Sequence, residues 1–138
     1  MGSNSESNID RIIKGLQWLE ERTYSTDIIE ITHGLNRLAI LAVRLAEEVT
    51  DAYELQCELE DEYDTAFAKR FSELTSNGTS AAAAKPAVEA ELADAKKEWT
   101  RAKVLYRKLN TFLERVDRVS EAFRQSVSVQ KAADLKNV

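Results

Sequence analysis

Glu30 and His33 stand three residues apart in Glu30-Ile31-Thr32-His33, the spacing that puts a carboxylate and an imidazole on one face of a helix. Di-iron bundles use that pattern twice. Here His33 is the sole histidine, so no second copy can form, and the residue reads as a polar group near a helix kink. Cys57, the sole cysteine, has no histidine nearby in sequence to take its proton. It reads as a partly buried structural thiol. Gly-rich phosphate loops, paired-cysteine motifs and nucleophile elbows are absent from the sequence. The chain therefore offers no catalytic residue, metal ligand or cofactor site, and it reads as a non-enzyme.

Charge offers more. Glu47, Glu48, Asp51, Glu54, Glu58, Glu60, Asp61, Glu62 and Asp64 form an acidic stretch without a basic residue. Lys96, Lys97, Arg101, Lys103, Arg107 and Lys108 form a basic stretch broken only by Glu98. If the chain turns back between them, the two lie side by side and set helix orientation, as flanking charges do in coiled coils. If the acidic stretch stays exposed, Glu47, Glu48, Asp51, Glu54, Glu58, Asp61 and Glu62 form a partner surface that could occupy a nucleic-acid channel. Arg115, Arg118, Arg124 and Lys131 are the candidate phosphate contacts, although no aromatic interleaving or nucleic-acid motif accompanies them.

The elements that carry these residues are helical. One Pro and four Gly in 138 residues leave too few turn formers for an all-β chain. The length suits one domain, residues 1–138. Ile9, Ile12, Ile13, Leu16 and Leu19 recur at helical spacing and predict a first helix over 8–24, after a frayed tail at 1–7. Glu6 stands where a myristoylation signal wants Ser or Thr, and no secretion signal is apparent.

From Ile28, steps of three and four pass through Ile31, Leu35, Leu38, Ala42, Leu45, Val49, Ala52, Gln56, Leu59, Tyr63 and Ala66, a heptad seam with Gln56 as its polar intruder. That predicts a second helix over 27–75. A second stripe through Leu41, Leu55, Phe67 and Leu74 widens its apolar face. Asn77-Gly78 marks a turn placed at 76–85, and Pro86 suits a helix's first turn. The same count from Val88 to Val127, broken at Ser120, predicts a third helix over 86–132.

These patterns give an all-α fold: a long antiparallel, coiled-coil-like helical hairpin plus a short N-terminal helix. Two helices of some 45 residues would each extend roughly 65 to 70 Å. One short helix leaves part of the apolar stripe bare, so a bundle completed by oligomerisation, with a dimer favoured, is the expectation. The alternative is a break near Thr32-His33-Gly34, with the first helix folding back over the stem. No apolar run approaches the roughly 18 to 20 residues needed to span a bilayer, and the lone cysteine makes the cytoplasm the default compartment.

From about Tyr53 to Lys131 the chain resembles small, mostly uncharacterised helical proteins encoded near recombination and replication genes of tailed bacteriophages. The likeness is carried by Tyr63-Asp64-Thr65-Ala66-Phe67-Ala68, the turn Asn77-Gly78-Thr79-Ser80, Leu105-Tyr106-Arg107-Lys108-Leu109 and Arg115-Val116-Asp117-Arg118-Val119-Ser120. Pro86 departs from the uninterrupted helix expected after the turn. The resemblance implies a phage or prophage protein acting in DNA recombination or replication through a protein partner, in the host cytoplasm. It supplies no catalytic residues. Two alternatives stand beside it: an inhibitor of a host defence or nuclease complex that uses the acidic surface, and a protein that binds DNA directly.

Overall fold

The computed structural model describes residues 2–136, and the described residues form helices without strands. Helix α1 spans Gly2–Glu20, α2 Ile28–Ser76, α3 Ala81–Glu91 and α4 Ala93–Lys136. The long helix α2 packs against α4 as an antiparallel hairpin. No helix is long and apolar enough to cross a membrane.

Each helix end has a local cause. Helix α1 begins and ends earlier than the expected 8–24. The Thr23 hydroxyl donates to the Glu20 carbonyl (3.1 Å), and Ser126 Oγ donates to the Thr23 carbonyl (2.7 Å). These bonds hold the connector against α4. Asp27 caps α2: its Oδ1 accepts from the backbone N–H of Ile29 (2.9 Å) and Glu30 (3.4 Å). Gly78 closes α2 at φ +95°, where the N–H of Thr79 reaches the Leu74 carbonyl (3.0 Å) and that of Gly78 reaches Thr75 (3.2 Å).

The turn is shorter than the expected 76–85. Ser80 Oγ accepts from the Ala83 N–H (3.3 Å), so helix α3 starts at Ala81 rather than at Pro86. Pro86 then lies inside α3 and removes the donor that would serve Ala82, but both residues are exposed and water can serve the carbonyl. The helix loses regularity at Leu92 (φ −99°, ψ 16°) and resumes as α4.

The described residues divide into two compact units. One takes those up to Glu48 together with those from Leu109 on; the other is Val49–Lys108. In the first, α1 completes a three-helix core. Ile9, Ile12, Leu16 and Leu19 are buried with Ile31, Leu38 and Leu45 of α2 and Leu109, Val116, Val119 and Phe123 of α4. Helix α2 does not break at Gly34. A Cβ there would lie 2.8 Å from the Phe123 ring, so the glycine permits close approach of the helix to that ring.

The second unit has a thinner core. Ala52, Ala84, Val88, Trp99 and Ala102 are buried. Rings extend the packing: Tyr63 lies 5.6 Å from Trp99, and Phe67 stacks 6.1 Å from Phe71.

Candidate protein interface

Three contacts set the register of α2 against the returning helices in the Val49–Lys108 unit. The rings of Tyr53 and Tyr106 lie 5.3 Å apart, Tyr63 meets Trp99, and Arg70 Nε donates to Glu91 at 2.8 Å. The Arg70 guanidinium holds Glu91 below its usual carboxylate range, and Glu91 in turn raises Arg70.

The two sides of this hairpin differ. On one, Trp99 is bracketed by two ammonium groups, Lys96 at 4.1 Å and Lys103 at 3.9 Å from its ring centre. Tyr53 and Tyr106 continue that side. Cys57, half-buried one turn beyond Tyr53, raises the Tyr53 phenol above its ordinary value. On the other side lies an open groove of Leu55, Leu59, Ala102 and Leu105, with Glu98 and Arg101 at its rim. Leu55 is 44% exposed there.

The acidic stretch is divided between the two units. Glu47 and Glu48 belong to the first unit, where with Arg11 and Arg44 they line a shallow depression. The rest lies on the second unit. Asp51, Glu54, Glu58, Asp61, Glu62 and Asp64 are exposed, while Glu60 is partly buried. Among the described residues, Lys96, Lys97, Arg101, Lys103 and Lys108 make no ion pair within 4.0 Å; two of them sit on the Trp99 ring instead. Lys97, Arg101 and Lys108 are exposed and lie off the seam.

The candidate phosphate contacts are not brought together either. Arg115 binds Glu20 of α1 and stacks 5.3 Å from the Phe112 ring centre. Arg124 lies 3.8 Å from Glu121, and Arg118 and Lys131 are exposed. At about 100° per residue, Arg124 and Lys131 fall roughly opposite Arg115 on α4.

Glu30 is occupied as well, accepting from Ser25 Oγ (2.7 Å) and pairing with Arg22 Nε (3.5 Å), while His33 is exposed. No cluster of three metal-ligating side chains occurs among the described residues. The sequence reading missed the stacking of Trp18 under Arg22 (3.7 Å) and Arg37 (4.8 Å). Its signal was the four-residue step from Trp18 to Arg22, which the helix expected over 8–24 would set on one face; in the structure Arg22 lies in the turn just after α1.

No family model, curated protein or solved structure matches this chain. Its function is therefore read from the arrangement itself.

Proposed function

We propose that this chain is a non-enzymatic helical binding protein, acting by protein–protein association, including association with itself, through the groove side of the Val49–Lys108 hairpin. The observation that carries this reading is the apolar groove in which exposed Leu55 and partly exposed Leu59 and Leu105 surround buried Ala102, with Glu98 and Arg101 at the rim making no ion pair among the described residues. Burial of such a strip with its rim charges matched is how helical hairpins recognise one another and other helices. A phage or prophage setting in DNA recombination or replication is part of the proposal and rests on the resemblance given above.

Retrieval of partners by the full chain and by a Leu55→Asp variant tests it. The wild type should retain a defined protein, a second copy of itself included, that the equally helical variant loses. Equal retention by both would overturn the reading.

A second reading is favoured by the exposure of Glu54, Glu58 and Asp61. In it the acidic α2 surface displaces nucleic acid from a host defence or nuclease protein. Its mark would be competition with DNA for that protein, abolished by Glu54→Lys/Asp61→Lys. Direct DNA binding draws less support, since Arg115 is committed to Glu20 and the four basic residues do not share a face.

A further inference from the structure

The groove of the Val49–Lys108 hairpin carries a charge pattern that complements itself. Within roughly 60° of Leu55 around α2 stand Asp51, Glu58 and Glu62. Within roughly 80° of Leu105 around α4 stand Lys97, Arg101 and Lys108, with Glu98 at the groove rim the acidic exception, outnumbered three to one on that border. Both sets border the groove, because Leu55 and Leu105 line it together. The register set by Tyr53 with Tyr106, Tyr63 with Trp99 and Arg70 with Glu91 puts Asp51 level with Lys108, Glu58 with Arg101 and Glu62 with Lys97. Yet these six residues make no ion pair within 4.0 Å among the described residues. Each set points outward beside the groove rather than across the seam.

We infer that the occupant of this groove is a second copy of the same hairpin, packed groove to groove about a two-fold axis parallel to the helices. That axis lays α2 of one copy antiparallel against α4 of the other and keeps every residue at its own level. Leu55 then meets Leu105 of the second copy, and Leu59 lies over the floor formed by Ala102. The acidic border of α2 faces the basic border of the second copy's α4, Glu58 opposite Arg101, and two-fold symmetry repeats the match. A two-fold axis across the helices would instead set acidic border against acidic border, which like-charge repulsion disfavours. The product is a four-helix arrangement in which the flanking charges select partner and direction. Its apolar centre is small, so the association depends on the charges and weakens with salt.

This assignment rests on the groove being an association surface, as proposed above, and adds the occupant and its orientation. The test is a charge swap at exposed positions of the full chain. Glu58→Arg sets Arg against Arg101 of the second copy, and Arg101→Glu sets Glu against Glu58. Each variant alone should self-associate at least about tenfold more weakly than wild type by sedimentation equilibrium at low salt. Mixed, with one carrying a mass tag, they should form a one-to-one heterodimer, since both contacts then pair opposite charges. Circular dichroism checks that both remain helical. A wild-type chain that stays monomeric over the concentration range would overturn the assignment while leaving the groove open to another protein. Dimers that withstand either reversal, or a mixture that fails to recover, would also overturn it. Failure of the broader reading is separately visible, as partner retention indifferent to Leu55→Asp.

Discussion

Gly34 and Phe123 meet so closely that a Cβ on the glycine would lie 2.8 Å from the phenylalanine ring. Helix propensity alone favours Gly34→Ala by about 1 kcal/mol. Forcing a carbon against the fully buried ring should cost more, of the order of 1–3 kcal/mol for overpacking. The variant should therefore be less stable in urea. Combining it with Phe123→Leu should cost less than the sum of the two single changes, because the shorter side chain leaves room for the methyl.

Leu16 of α1 is fully buried in the first unit. Leu16→Ala should reduce stability by about 2–5 kcal/mol, as for other buried leucines, with a lower urea midpoint and little change in slope. An unchanged midpoint would show that α1 does not close that core.

Much of this was legible in the spacing of apolar residues. The seam positions from Ile31 to Ala66 and from Val88 to Val127 are buried or partly buried, Gln56 and Ser120 included. Periodicity reports which face turns inward, and it did so here. It does not report how close two backbones come, so a break near Gly34 stood as the alternative to a continuous helix over 27–75, whereas the glycine is a contact within that helix. Nor does it tell whether a flanking charge reaches across a seam or finds an aromatic ring on its own helix. Lys96 and Lys103 take the ring of Trp99, three residues after one and four before the other. The third helix was expected from Pro86 because proline is a strong local signal for a first turn, whereas the Ser80 cap starts the helix at Ala81.

Gln56 carries a buried Oε1 without a hydrogen-bond partner among the described residues. Gln56→Met keeps the shape and removes that acceptor, and it should raise stability by about 1–2 kcal/mol in urea titration. If Gln56 also restrains pairing, the same variant should broaden the distribution of assembled masses.

Glu91 owes its lowered pKa first to the hydrogen bond from Arg70. A carboxylate with a depressed folded pKa stabilises the fold above its unfolded pKa and loses that contribution as pH falls through the folded value. Glu91→Gln should thus be slightly less stable than wild type at neutral pH, the difference closing below the ordinary carboxylate range. Melting curves across that range read it directly. A gap that persists or widens in acid would contradict the pairing.

The Leu55 side of the hairpin is the proposed working surface. A photoreactive phenylalanine analogue replacing Leu55, compared with the same group replacing the exposed Val129 of the first unit, tests it most directly. Irradiation of the full chain in its native extract should give a discrete adduct, with itself or another protein, from position 55 and none from position 129. No adduct from position 55, or the same adducts from both, would contradict the account.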